Sequence, residues 1–272
     1  MVKRLSILMT IFCLVAEVSA GVIPDMKFKR LDTREGLSNS MVNSILRDSQ
    51  GYVWLGTGYG LNRYDGYRVR TFFSYDQDTT TLRNNRIDEI QEGHGGRLWL
   101  KQGMNYSLYD PVTETVDRSP ARWLNSKGIT GSIESIHLDK NKSYWVKTYE
   151  DGFYYYDPTK NLVQHINFGY GPHEFSKEFG VSAYVETKEG MLMVSTFGEL
   201  MCIDGPHGKV LWKEDYVKRA LDAYNDYWVA VDKEDNIWVI THSTSTYIYD
   251  QKEKRWYTSL TGFISLDRKS VV

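Results

Sequence analysis

The chain has 272 residues and a formal net charge of −2, so no clustered excess of Lys and Arg marks it for nucleic acid or an anionic membrane surface. Its 20 tyrosines and 8 tryptophans are many for this length. Aromatic residues favour strands and are depleted in disordered chains, so an ordered β protein is expected.

The first twenty residues stand apart. Lys3-Arg4 form a positive start, Leu5 to Val15 a short apolar run, and Val18-Ser19-Ala20 a small-residue cleavage pattern. This predicts a signal peptide over residues 1–20, with Gly21 the first mature residue, and places the protein in the periplasm or outside the cell. An uncleaved anchor is the poorer reading, because a spanning helix needs roughly 20 apolar residues and Glu17 interrupts this run. Cys13 follows Ile11-Phe12 rather than small residues and does not fit a lipoprotein cysteine. After cleavage Cys202 stands alone, so no intramolecular disulfide is expected. Nothing downstream is apolar for long enough to cross a bilayer.

From residue 40 the chain repeats itself. Val42 to Arg47 is a β-prone run, Asp48-Ser49-Gln50-Gly51 a turn cluster, and Tyr52 to Thr57 a second strand. Gly58-Tyr59-Gly60 breaks that strand and Leu61 to Tyr64 forms a third. Asp65-Gly66 suits a tight hairpin turn, because Gly accepts positive φ and Asp tolerates it. Arg68 to Phe73 is a fourth strand. The strand-two anchor recurs as Trp54, Trp99, Trp145, Met193 and Trp238, in steps of 45, 46, 48 and 45 residues. The aspartate after strand three recurs as Asp65, Asp110, Asp157, Asp204 and Asp250, in steps of 45, 47, 47 and 46.

Four short antiparallel strands at this period predict an all-β fold, a β-propeller of about five blades over residues 21–272. The units run roughly over residues 40–83, 84–130, 131–178, 179–224 and 225–272. The tryptophans are read as wedges between successive blades, and the aspartates as acceptors for their own turns. Met193 is read as a gap-filler in the tryptophan's place. Helical periodicity is scarce, and its best case is Asp215 to Tyr224, between two units.

The stretch Leu31-Asp32-Thr33-Arg34-Glu35-Gly36-Leu37-Ser38-Asn39-Ser40-Met41-Val42, with the Gly51 to Thr57 and Gly60 to Gly66 segments after it, resembles the two-component regulator propeller family. That family forms the periplasmic sensor region of hybrid two-component systems in gut Bacteroides-type bacteria. The resemblance implies seven-bladed propellers, a following β-sandwich, a membrane helix and a histidine kinase in inner-membrane relatives. It also implies an oligosaccharide ligand and a homodimer in the full-length form. Five units and no output domain here suggest a partial ring rather than a closed five-bladed one, with Phe28 to Leu31 a strand that completes the ring's last blade. Open edges disfavour leaving a ring unclosed.

The loops between second and third strands are the candidate ligand end. Tyr59, Asn105, Tyr149, Phe197 and His242 sit at these tips, and Arg63 is added as a hydrogen-bond donor. Aromatic faces beside polar groups suit sugar rings, while packing against neighbouring loops is the plainer alternative. Gly56-Thr57-Gly58-Tyr59-Gly60 is not a phosphate loop, since strands flank it on both sides. The scattered histidines and the incomplete Asp76-Gln77-Asp78 pattern give no metal site, and no cofactor is expected. No nucleophile elbow is present. The sequons at Asn105 and Asn141 are read as chance matches.

The reading is therefore a sensor portion without catalysis in this chain. A secreted propeller lyase or glycan-active hydrolase, and a structural or adhesive propeller, are the alternatives.

Overall fold

Among the described residues, five four-stranded antiparallel sheets follow one another along the chain, each with its strands in sequence order. The computed structural model describes residues 30–166, 168, 181–221, 225–242 and 245–258. Residues 1–20, read as a signal peptide, and Phe28 and Lys29 of the expected closing strand lie outside the described residues, and Arg30 and Leu31 form no strand.

Blade 1 holds β1 (Val42–Arg47), β2 (Val53–Thr57), β3 (Gly60–Tyr64) and β4 (Val69–Phe72). Blade 2 holds β5 (Glu89–Glu92), β6 (Leu98–Gln102), β7 (Asn105–Asp110) and β8 (Thr115–Asp117). Blade 3 holds β9 (Ile133–Leu138), β10 (Tyr144–Thr148), β11 (Gly152–Asp157) and β12 (Leu162–His165). Blade 4 holds β13 (Val181–Glu186), β14 (Met191–Ser195), β15 (Leu200–Asp204) and β16 (Lys209–Glu214). Blade 5 holds β17 (Tyr227–Val231), β18 (Ile237–Thr241), β19 (Thr246–Asp250) and β20 (Arg255–Tyr257).

The repeated turn residues do the local work. Asp65 accepts from the N–H groups of Tyr67 and Arg68 at 2.8 and 2.7 Å, while Gly66 takes φ 99°. Asp110, Asp157, Asp204 and Asp250 accept from their own turns in the same way. First strands of successive blades lie side by side, β1 with β5, β5 with β9 and β13 with β17. Side chains satisfy these inner edges, which would otherwise leave backbone groups bare. Ser44 Oγ accepts from Ile90 N–H, Gln91 Nε2 donates to the Ile136 carbonyl, and Ser182 Oγ accepts from Tyr227 N–H.

Each apolar layer lies between one blade and the next. Trp54 packs with Ile87, Leu98 and Tyr109 of blade 2, and Trp99 with Ile136, Tyr144 and Tyr156 of blade 3. Trp145 packs with Met191, Met201 and Ile203 of blade 4. Trp238, on the last blade, is half-buried.

Met193 does not hold the anchor position. Strand pairing sets Trp54 opposite Arg63, Trp99 opposite Leu108, Trp145 opposite Tyr155 and Trp238 opposite Ile248. In blade 4 the residue in that register is Leu192, opposite Cys202, and it packs forward against Val217, Tyr227 and Ile237. Met193 is one place on, so it points to the other face and packs back on blade 3 with Trp145, Phe153 and Tyr155. Leu192→Ala is therefore expected to loosen the blade 4–5 layer by about 2–4 kcal/mol, with protection from hydrogen exchange falling first in β17 to β19. Met193→Ala should lower protection in β10 and β11 instead.

Among the described residues, two short helices cross between blades. α1 (Ala121–Ser126), which the sequence pattern did not announce, buries Leu124 in the blade 2–3 layer. α2 (Tyr216–Leu221) falls inside the 215–224 stretch and buries Val217 in the blade 4–5 layer.

Candidate functional site

One polar side chain at the end of each second strand shapes the tip beyond it. These residues are Thr57, Gln102, Thr148, Ser195 and Thr241, three places after each anchor and all buried. Thr57 Oγ1 donates to the Gly60 carbonyl at 2.9 Å and accepts from Tyr59 N–H at 3.1 Å. Ser195 Oγ accepts from the N–H groups of Phe197 and Glu199, and Thr241 Oγ1 accepts from Ser245 N–H. Gln102 replaces the hydroxyl in blade 2, where it accepts from Ser107 Oγ and donates to the Asn84 carbonyl. The motif Trp-x-x-Thr carries this signal in the sequence, and the reading of the anchors passed over it.

With the backbone folded inward on these groups, the next side chains are thrown outward. Tyr59 is 55% exposed, Met104 77%, Tyr149 49% and Phe197 38%. Asn105 and His242 are also exposed. The crossings between blades share this end: Gly58 N–H reaches the Met41 carbonyl, Tyr149 N–H that of Ser132, and His242 N–H that of Asp226. Tyr59 rests on Phe73 at 5.7 Å between ring centres, and His242 stacks on Trp228 at 6.1 Å. The tips belong to five different blades. Packed sheets are roughly 10 Å apart, so a ligand touching two tips must be extended.

Arg63 is not part of this end. It lies near the far end of β3, directly opposite Trp54, with its guanidinium 5.0 Å from the Tyr52 ring and 5.7 Å from the Trp54 ring. Its charge faces Glu114 at 3.8 Å. A cation over aromatic rings at a blade interface supports packing.

The tip end of blades 2 and 3 carries fixed negative charge. Hydrogen bonds from Ser132 hold the Glu150 carboxyl below its ordinary range, and the Thr130 and Tyr154 hydroxyls do so for Asp151. Burial works to raise Asp88, but Gly103 N–H and Arg86 outweigh it and the net shift is downward.

The opposite end is a belt of ties between blades. The Glu92 side chain, only 6% exposed, accepts from Ser49 N–H of blade 1 at 3.0 Å and pairs with Lys142 Nζ of blade 3 at 2.9 Å. Lys140 meets Glu186 at 3.1 Å, and Lys188 pairs with Asp235. Burial acts to raise the Glu92 carboxyl, yet the Ser49 hydroxyl and Lys142 pull it below the ordinary value. Its folded pKa is lowered, so the tie is fully formed above the unfolded carboxylate pKa of about 4.3 and is lost as pH falls through the folded value. Urea midpoints measured from about pH 3 to pH 7 should show this loss, and Glu92→Gln should reduce it.

A second carboxylate also escaped the sequence reading. Six residues before their tryptophans, Asp48 Oδ2 accepts from Trp54 Nε1 at 2.7 Å and Asp232 Oδ2 from Trp238 Nε1 at 3.0 Å. Each also caps its own turn.

Residues 36–59 match the two component regulator propeller family, on the first repeat that carried the resemblance. A 55-residue stretch is 36% identical to Histidine kinase P4 of Formosa agariphila, covering 20% of this chain and 4% of that protein. Among solved structures, the chain is similar to the extracellular domain of a hybrid two component system from B. thetaiotaomicron. The identity is 22% and the TM-score 0.57, over 84% of this chain and 31% of that one. A second such domain from B. thetaiotaomicron gives 17% identity and a TM-score of 0.46, over 87% and 38%. The chain thus spans about a third of the length of these solved domains. The first likeness establishes the propeller fold.

Proposed function

We propose that this chain is part of the ligand-sensing ectodomain of a hybrid two-component regulator, carried across the membrane by the leader at 1–20, and that its tip end meets an oligosaccharide. The observation that carries the reading is the row of tips, one on each blade, that present Tyr59, Asn105, Tyr149, Phe197 and His242 from buried polar caps. Aromatic faces beside exposed amide and imidazole groups suit sugar rings, which are apolar on their C–H faces and hydroxylated at their edges. The anionic carboxylates at Glu150 and Asp151 favour an uncharged glycan over a sulfated or uronic one. The match over the first repeat and the similarity to a histidine kinase support the regulator side of the reading.

Sensing requires that the ligand bind one arrangement of the ectodomain better than another, because only differential affinity shifts an equilibrium. A glycan laid across tips of two blades, or of two chains in a dimer, meets that requirement by fixing their separation. Calorimetry of the full chain against neutral oligosaccharides tests the reading. Tyr59→Ala and Tyr149→Ala are each expected to weaken binding about tenfold, or 1.4 kcal/mol. Unchanged affinity in both variants contradicts the tip assignment, and no binding of any neutral oligosaccharide contradicts the glycan reading.

A further inference from the structure

A cleft of about 320 Å³ opens between blades 4 and 5, lined by Trp212 of β16, Tyr249 of β19 and Trp256 of β20. It lies apart from the tips. The turns that flank it join β13 to β14 and β19 to β20, and successive turns of a meander alternate between the two ends of a blade. We propose that this cleft is a separate binding site for a neutral pyranose unit.

The walls are built rather than incidental. Tyr249 and Trp256 lie 5.2 Å apart between ring centres, and Trp256 is stacked on Tyr216 at 5.2 Å with only 5° between the planes. Trp212 is held by its Nε1, which donates to Glu189 Oε2 at 3.0 Å. These rings are fixed before any ligand arrives, which lowers the cost of ordering them on binding. Ile237 adds an apolar patch to the lining.

The polar groups set the class of ligand. Glu189 uses Oε2 on Trp212, and Glu214 uses Oε1 on Tyr216 N–H at 2.8 Å, so each carboxylate keeps its second oxygen as an acceptor. Two ammonium groups stand beside the carboxylates, Lys254 donating to Gln251 Oε1 at 2.9 Å and Lys213 to the Phe168 carbonyl at 2.9 Å. The site therefore asks for a flat apolar face and hydroxyl donors for two carboxylates. A neutral sugar ring offers both, and its lack of charge suits a lining in which two carboxylates and two ammonium groups balance. A purely apolar molecule leaves the carboxylates unanswered.

The test is a titration of the full chain with maltose, cellobiose, lactose and mannobiose, and with digalacturonate as the acidic counterpart, followed by tryptophan fluorescence and calorimetry. At least one neutral disaccharide is expected to bind and perturb the fluorescence, and digalacturonate is expected not to. Trp212→Ala should weaken that binding more than tenfold. Glu214→Gln keeps an acceptor for Tyr216 N–H and removes the carboxylate, so it should weaken binding several-fold. The double variant Tyr59→Ala, Tyr149→Ala should lose any binding at the tips and retain the component of disaccharide binding, and its fluorescence change, that Trp212→Ala removes. No response to any neutral disaccharide overturns the proposal, as does tighter binding of digalacturonate. Binding that survives both cleft variants but is lost in the tip double variant also overturns it, while leaving the tip reading in place.

Discussion

Trp54→Ala is expected to cost about 3–5 kcal/mol, the largest loss from any single side chain in the first three blades. The ring is fully buried between blades 1 and 2. It sits 6.0 Å from Phe72 and 5.5 Å edge-on from Tyr109, so truncation removes apolar burial, aromatic contact and volume together. It also removes the indole N–H that Asp48 accepts. Trp54→Phe keeps most of the volume and should cost about 1–2 kcal/mol, mainly from the lost hydrogen bond. Trp238→Ala, at a half-buried position, should cost less than Trp54→Ala. Urea denaturation followed by far-UV circular dichroism checks all three, and equal losses at Trp54 and Trp238 contradict the wedge role.

Asp48→Ala is expected to cost about 2–4 kcal/mol, although it removes no apolar area. One carboxylate serves three donors: Oδ1 accepts from the N–H groups of Gln50 at 3.0 Å and Tyr52 at 2.9 Å, and Oδ2 accepts from Trp54 Nε1. Its loss leaves an indole N–H buried beside an empty acceptor site. Asp48→Asn retains one carbonyl oxygen and should fall between the two. The exposed Asp65, which caps only its own turn, is the natural control. If Asp65→Ala and Asp48→Ala cost the same in the denaturation assay, the bond to Trp54 carries no weight.

The architecture was legible because its signals are local and repeated. Val42 to Arg47 is the observed first strand, the Asp65-Gly66 pair makes the expected turn, and five sheets fall one to each repeat unit. The errors came where pattern carries volume but not direction. Met193 and Leu192 are both apolar and of similar size, and only strand pairing says which faces blade 5. Counting from the buried Ser195, three places after Leu192 as Thr57 is after Trp54, resolves it. Arg63 was drawn toward the tip by its charge. Pairing across the tight β2–β3 turn, Thr57 with Gly60, puts it beside Trp54. α1 was invisible because six residues hold too few turns for a helical period to emerge. The cleft at Trp212 and Trp256 joins outer strands of two units, a proximity that no single repeat records.

The second-strand anchors of blades 1 to 4 each pack one blade ahead. A double-mutant cycle between Trp54 and Tyr109 measures that most directly. Coupling of about 0.5–1.5 kcal/mol is expected for this edge-on pair across the blade 1–2 layer, with Trp54 and Trp145 additive as controls. Strict additivity of Trp54→Ala and Tyr109→Ala contradicts it.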